Sequence, residues 1–371
     1  MKPRTAHGQR TLPGEYFTSP DVWREEQTRI FQSHWLLAGH VSALRYEGDY
    51  LTLEVAGSGV IVVRGAEGHL YAHHNICRHR GTRLCEDRRG TFGGGAIRCP
   101  YHSWLYTFDG TLAAAPHMRE VTGFDASRWN LKRAALAQWH GFVFVNLAEN
   151  PVPFADALPQ LDAREGKFER WPLAELRSAH QTAYNIDANW KLFFHNYSEC
   201  YHCPGAHPQL NSLTPFRNSE NDLEEGAVLG GPMTLSNPQG SMTTHGERCA
   251  PPFAALNEAD RGRVYYYTLF PSGFISLHPD YVLVHRIEPL DIGRTRVTCD
   301  WYFHRDAMAA SGFSAKPAVE FWDNTNRQDW LLCEGAQAGM RSAAWEPGPY
   351  SELESQLAAF DRHYLRVLQG A

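Results

Sequence analysis

Hydrophobic positions along the chain follow two different periods. Ahead of residue 34, Trp23, Ile30 and Phe31 recur at helical spacing. Ser19 and Pro20 precede them, a capping residue and a residue suited to the first helical position, so a helix is predicted there. From His34 the pattern changes to short β-rich runs over 35–37, 50–55, 60–63 and 70–73. Tyr46-Glu47-Gly48-Asp49 and Arg64-Gly65-Ala66-Glu67-Gly68 separate them as turns. Phe108-Asp109-Gly110-Thr111 is a hairpin signal, and the apolar run 142–147 reads as a closing strand. These elements make a small all-β module. Asn150-Pro151-Val152-Pro153 has the composition of a linker, which places a domain boundary near residue 150.

Beyond the linker the pattern is mixed. Runs rich in Val, Ile, Tyr and Phe over 264–269, 274–277, 281–287 and 294–303 predict strands. Residues 317–340 predict one long helix, and Pro347-Gly348-Pro349 breaks the chain after it. Ser351 with Glu354 forms a capping box before a last helix carrying Leu353, Leu357, Phe360 and Tyr364. Residues 217–263 are polar and rich in Gly and Pro, and read as a long loop or lid. Long helices flanking an antiparallel sheet define an α+β domain.

Composition narrows the class of protein. A chain of 371 residues with 43% hydrophobic and 20% charged content has room for two packed cores. The formal charge of −6 supplies no basic face for nucleic acid. Eleven Trp and sixteen Tyr suggest large buried surfaces or pockets lined with rings. With no apolar leader-like stretch near residue 1 and no run of eighteen apolar residues, the expectation is a soluble cytoplasmic protein, with no membrane partner. The eight cysteines of such a chain read as metal ligands or small core residues rather than disulfides.

Two clusters carry chemistry. In 189–208, His202 and His207 stand five apart and Glu199 precedes His202 by three. On a continuing helix Glu199 and His202 would share a face. Cys203-Pro204-Gly205 would break that helix and swing His207 back beside His202. Two imidazoles so placed suit a divalent metal, although two unrelated surface histidines give the same pattern. In the second cluster Cys77-x-His79 is followed, after nineteen residues, by Cys99-x2-His102. Two Cys and two His allow a structural zinc site or a Rieske [2Fe–2S] centre. Two mixed pairs on facing loops suit the latter, in which cysteines hold one iron and histidines the other. Cys85, between the pairs, reads as a small buried residue.

With both clusters in view, the chain resembles the catalytic α subunit of a Rieske non-haem iron oxygenase. The likeness is carried by CRHRGTRLC at 77–85, RCPYHSW at 98–104, HGFVFVNL at 140–147, NWK at 189–191, ECYHCPGAHP at 199–208 and QDWLLCEGAQAGM at 328–340. It implies a helical segment over 1–36 packed on the catalytic domain. A Rieske [2Fe–2S] domain over 37–150 follows, with Cys77, His79, Cys99 and His102 as ligands. A helix-grip (START-like) catalytic domain spans 151–371. It also implies a mononuclear iron held by His202, His207 and one carboxylate. Asp329 is favoured over Asp323 and Glu334. Glu199 matches the acid that bridges a Rieske histidine, here His102, and an iron-ligand histidine across the subunit interface of a head-to-tail homotrimer. Glu at this position, with Cys-Tyr-His-Cys after it, is similar to the branch acting on choline, carnitine, glycine betaine and proline betaine. The nineteen-residue spacer suggests a loop insertion at Gly93-Gly94-Gly95, and His195 stands where a Glu is common.

The resemblance further implies electrons from NAD(P)H through a separate flavin and iron–sulfur reductase, since the chain has no GxGxxG after a strand. A quaternary ammonium group offers no hydrogen bonds, so its site needs ring faces. Phe194, Tyr201, Tyr265, Tyr267, Phe270, Phe274 and Trp301 are possible cage residues, with core packing as the alternative for each. His278 and Tyr281 could face the pocket or pair in the sheet, and Asn196 is a further substrate candidate. Three functions are left open: N-demethylation of a betaine-like amine, hydroxylation of an aromatic substrate, or electron carriage by a Rieske domain fused to a ligand-binding domain.

Overall fold

The computed structural model describes residues 9–162 and 167–370, so the first eight residues of the predicted N-terminal segment lie outside it. The chain forms two compact units. One is Phe31–Pro151; the other joins the residues up to Ile30 with those from Val152 onward.

In the second unit α1 is Pro20–Glu26, with the Ser19 side chain accepting the Asp21 N–H as its cap. Ile30 and Phe31 fall outside α1, in a wider π turn over Gln27–Phe31.

The Phe31–Pro151 unit is all β. Strands β1 (Leu36–His40), β2 (Asp49–Val55), β3 (Ser58–Arg64) and β4 (Leu70–His74) come first. Shorter strands follow: β5 (Arg89–Thr91), β6 (Ile97–Arg98), β7 (Leu105–Tyr106) and β8 (Leu112–Ala114). The hairpin β9 (Ala135–Trp139) and β10 (Phe142–Asn146) closes the unit. They assemble as antiparallel sheets in the orders β1-β10-β9, β4-β3-β2-β5 and β6-β7-β8. Cys77, Cys99, Trp104 and Tyr106 are buried in one core with Ile61, Val63 and Ile97. The Gly93–Gly95 turn is exposed, and Gly94 and Gly95 both take a φ of +70°, which glycine adopts without strain.

The second unit is built on a six-stranded antiparallel sheet, β11-β16-β15-β14-β13-β12. Its strands are β11 (Leu176–Ile186), β12 (Val228–Thr234), β13 (Arg263–Leu269), β14 (Gly273–Leu277), β15 (Val282–Asp291) and β16 (Arg294–His304). The four inner strands are those the hydrophobic runs predicted. The two edges were not, because an edge strand can be polar, and β12 carries Gly230-Gly231-Pro232, which reads as a turn. The 217–263 segment is therefore not a continuous loop; β12 runs through it and pairs with β13.

Helices cross one face of this sheet. α2 is Trp190–Tyr197; α3 (Cys203–Ala206) and α4 (Pro208–Leu213) are single turns after it; α5 is Lys316–Met340; α6 is Ser355–Gln369. α5 buries Trp322, Asn326, Trp330, Cys333 and Gln337, a stripe at three- and four-residue steps. The Ser351–Glu354 capping box is present, but the helix starts after it. Leu353 lies in the preceding turn, out of phase with Leu357 and Phe360, and is exposed rather than in the core.

Candidate functional site

In the β unit the two Cys/His loops are built alike. The Cys77 N–H bonds to the Thr82 carbonyl and the Gly81 N–H to that of Cys77; the Cys99 N–H bonds to Trp104 and the Ser103 N–H to Cys99. Each turn thus presents a cysteine at its base and a histidine at its tip. The Cys77 and Cys99 thiols pair with each other, and burial pushes the Cys99 thiol up. The His79 and His102 rings lie 4.7 Å apart by centroid. Both Nδ1 atoms are buried with no hydrogen-bond partner. Sulfur with sulfur and imidazole with imidazole is the division a two-iron cluster needs, and a buried Nδ1 with no protein partner is free to be a metal ligand. Tyr106 Oη stands 3.3 Å from Cys77 Sγ and accepts the Arg78 N–H. Cys85 instead packs in the core, its backbone clamped by Asn75.

In the second unit the local chain path differs from the helical reading. α2 stops at Tyr197, so Glu199 and His202 meet across a turn, not along a helix. The Glu199 carboxylate accepts the N–H of Tyr201 and of His202, and its Oε1 lies 2.5 Å from His202 Nδ1. Cys203-Pro204-Gly205 does not break a helix; it starts α3, with Pro204 in the first turn. The break comes at His207, where the following Pro208 disfavours helical backbone and the residue sits at φ −129°, ψ 65°. Cys200 and Cys203 form a disulfide, which corrects the expectation of thiols: one tight turn brings their Cα atoms to 4.9 Å, within bridging range.

The result is a three-ligand cluster. One ligand atom each from His202, His207 and Asp329 lie within 4.8 Å of one another. Asp329 Oδ1 is 2.7 Å from His207 Nε2 and 3.4 Å from His202 Nε2. Outer groups fix each member. His207 Nδ1 lies 2.7 Å from Gln328 Oε1, His202 Nδ1 faces Glu199, and Asn196 donates to Asp329 Oδ1 at 3.0 Å. A carboxylate or amide on Nδ1 holds Nε2 toward the centre in each histidine. Burial alone would push His202 down, but its bonds to Asp329 and Glu199 outweigh it and hold the ring up at about 10. Asp329 is held below the carboxylate range; burial opposes this, and the bonds to the two histidines prevail. Two imidazoles and one carboxylate gathered on one side are the donor set of a non-haem iron(II). The other acids are elsewhere: Asp323 accepts from Tyr184 and Arg327, and Glu334 from the Asp187 N–H.

A cavity of about 1090 Å³ opens from this cluster between α2, α5, the sheet and the 219–225 segment. Asn196 and Phe274 line it; of the other predicted pocket residues, none does. Phe194, Phe270 and Trp301 are core, Tyr265 bonds to Asp260 and Tyr267 to Asp222, Tyr201 is 55% exposed, and His278 stacks on Tyr281 inside the fold. The lining rings are Tyr197, Tyr266, Trp322 and Trp330, with Phe193 and His285. Two signals could have found them. Tyr266 lies between Tyr265 and Tyr267, and alternate strand residues face opposite sides. Trp322, Asn326, Asp329 and Trp330 fall at i, i+4, i+7 and i+8, one helix face with the iron-ligand candidate on it. His195, by contrast, is tied to Asp361 at 2.8 Å and takes no part in the cavity.

A cluster-binding β domain joined to a domain with a two-histidine, one-carboxylate pocket is the make-up of an oxygenase terminal component. Residues 34–125 match the Rieske [2Fe-2S] domain and 173–370 the catalytic domain of the ring-hydroxylating alpha subunit. The chain is 32% identical to the glycine betaine monooxygenase oxygenase subunit of Pseudomonas aeruginosa, over 92% of this chain and 85% of that one. It is 35% identical to the carnitine monooxygenase oxygenase subunit of Escherichia coli, over 90% and 85%. The solved structure of a quaternary ammonium Rieske monooxygenase, described for carnitine oxidation by gut microbiota and inter-subunit electron transfer, matches with a TM-score of 0.83 at 25% identity, over 97% of this chain and 95% of that one. The chain belongs to the Rieske non-haem iron oxygenases, as a catalytic α subunit. The zinc and electron-carrier alternatives fall with that assignment. Among the described residues, no helix is long and apolar enough to cross a membrane.

Proposed function

We propose that this chain is the terminal oxygenase of a multicomponent monooxygenase that N-demethylates a small quaternary ammonium compound. The observation that carries this reading is the cavity: the His202, His207 and Asp329 cluster is part of its lining, together with the rings of Tyr197, Tyr266, Phe274, Trp322 and Trp330. Ring faces attract a cation that cannot hydrogen-bond. The names of the relatives in Pseudomonas aeruginosa and Escherichia coli point to the same substrate class.

Cys77, His79, Cys99 and His102 hold the [2Fe–2S] cluster, and His202, His207 and Asp329 the mononuclear iron. When bound, that iron supplies oxidation of a substrate C–H bond by O₂. The chain's own residues orient and shield. Gln328 and Glu199 each accept a hydrogen bond from the outer N–H of a ligand histidine, so both Nε2 lone pairs stay inward. Asn196 fixes the carboxylate, and the rings exclude water and aim one methyl group inward. The substrate, O₂, NAD(P)H and a proton yield a carbinolamine, water and NAD(P)⁺. The carbinolamine then loses formaldehyde and a proton to leave the demethylated amine.

Electrons come from a flavin and iron–sulfur reductase. The assembly is a head-to-tail homotrimer in which Glu199 bridges His202 to His102 of the partner subunit. The test is NADH-dependent formaldehyde release from quaternary ammonium compounds with a surrogate reductase. Release in step with NADH consumption supports the reading. Consumption of aromatic substrates with no formaldehyde from any quaternary amine overturns it in favour of ring hydroxylation.

A further inference from the structure

The rings that line the cavity do not reach into it equally. Phe274, Trp322, Trp330 and His285 are buried, whereas Tyr197 and Tyr266 are only half-buried. Those two rings stand 6.0 Å apart by centroid at 77°, an open corner in the cavity that the candidate iron ligands also line. A ring attracts an ammonium through its face, so the corner serves a cation only while each face stays turned into it. Tyr266 rises from the middle of β13. Tyr197 is the last residue of α2, where the helix itself does little to fix a side chain.

The sheet supplies what fixes it. Phe274 and Ser276 alternate on β14 and so share a face, and Tyr266 stands on that face too, as the cross-strand partner of Ser276. Phe274 backs the Tyr197 ring, stacked on it at 4.2 Å and 12°. Ser276 Oγ lies 2.8 Å from Tyr197 Oη. Ser276 is 0% exposed and is not part of the cavity lining, so it does not touch a ligand. Burial pushes the pKa of the Tyr197 hydroxyl up, so it stays a neutral phenol with a proton to share. A buried hydroxyl is costly to leave unpaired. The bond at one end and the stack along one face therefore leave only the other face for a ligand.

We propose that Ser276 is a positioning residue for the ammonium site: through the Tyr197 hydroxyl it holds that ring against Phe274, with the free face turned into the cavity. This rests on the quaternary ammonium reading. It gives a residue that never meets substrate a share in telling a trimethylammonium from an uncharged group of the same shape. Removing the Ser276 hydroxyl alone leaves that of Tyr197 buried without a partner, and the ring leaves its seat to find one. Removing both hydroxyls removes the conflict.

The experiment uses iron-loaded holoenzyme with glycine betaine and choline, each beside a carbon isostere in which tert-butyl replaces trimethylammonium. Binding is read as heat of titration, and turnover as formaldehyde released with a surrogate reductase. Ser276→Ala should weaken the better-bound quaternary compound about fivefold or more, raise its KM in step, keep kcat, and leave the isostere within about twofold, because only the ring–cation attraction depends on the face presented. In a Tyr197→Phe background the same change should cost less than about twofold, since no phenol is left unpaired. Should Ser276→Ala not fold, Tyr197→Phe cuts the same bond and keeps a ring, and should narrow the lead over the isostere about threefold or more. Equal loss for quaternary compound and isostere, no loss from either single variant, or an undiminished Ser276→Ala effect in the Tyr197→Phe background overturns this inference and leaves the quaternary ammonium reading standing. Failure of both quaternary compounds to bind enzyme that oxidises aromatic substrates overturns both.

Discussion

At the residue scale the candidate iron site is a set of paired restraints. Each candidate ligand histidine has one ring nitrogen facing the centre and the other held by a neighbour, Gln328 for His207 and Glu199 for His202, while Asn196 holds Asp329 by the same Oδ1 that faces the histidines. Outer partners of this kind set ligand orientation and typically govern one to two decades of metal affinity. Asn196→Ala and Gln328→Ala are each expected to weaken Fe(II) retention on the order of 10–100-fold with the [2Fe–2S] absorbance unchanged, measured by iron content after dialysis against a graded chelator. The rings sort the same way. Tyr266 faces the cavity, whereas Tyr265 on the next position bonds to buried Asp260. Tyr266→Leu is expected to raise KM for a quaternary ammonium by about five- to thirty-fold through loss of the cation–ring contact. Tyr265→Leu should lower thermal stability and leave KM in place. Equal effects on KM would place both rings at the substrate.

At the element scale, three helices of the second unit are fastened by one buried charge pair. Lys191 on α2 is fully buried, and its Nζ lies 2.5 Å from Glu26 on α1. Glu26 also accepts from the indole of Trp190 and from the Tyr364 hydroxyl of α6. Burial pulls the Lys191 ammonium down in pKa although Glu26 opposes it. Such a pair adds little net stability but is costly to halve, because one charge is then buried alone. Glu26→Ala should therefore cost about 3–5 kcal/mol in unfolding free energy, read by urea titration, while Glu26→Ala with Lys191→Met recovers part of it. The strand elements show a related contrast. The inner strands were legible because both their faces are covered and their runs are apolar. β11 was not, because an edge strand exchanges half its ladder for solvent and tolerates polar residues; β12 was not, because its glycines let the 219–223 segment approach and bond along its outer side.

At the scale of the whole molecule, two metal sites in separately folded units must exchange electrons. If Glu199 links His202 to His102 of the partner subunit, sites from different chains cooperate. His207→Ala should abolish turnover and spare the cluster spectrum; His102→Ala should abolish the cluster. Coexpressed in equal amounts, the two inactive chains are expected to recover about a quarter of wild-type turnover, the chance that a junction in a head-to-tail ring joins an intact cluster to an intact iron site. Transfer within one chain predicts no recovery.

The sequence alone determined what depends on short segments. The grouping of Cys77, His79, Cys99 and His102 on two matching loops was readable because each pair occupies one tight turn, and the backbone that shapes such a turn is local. The inner strands, the long helix and the Ser351–Glu354 capping box were readable for the same reason. Only the tertiary structure brought Asp329 to His202 and His207, since its helix meets them from more than a hundred residues away. It also chose Tyr266 over its neighbours and made β12 a strand out of a glycine-rich stretch. Which side of a strand or helix faces a cavity depends on what packs against it, and local sequence carries the period of that pattern but not its phase.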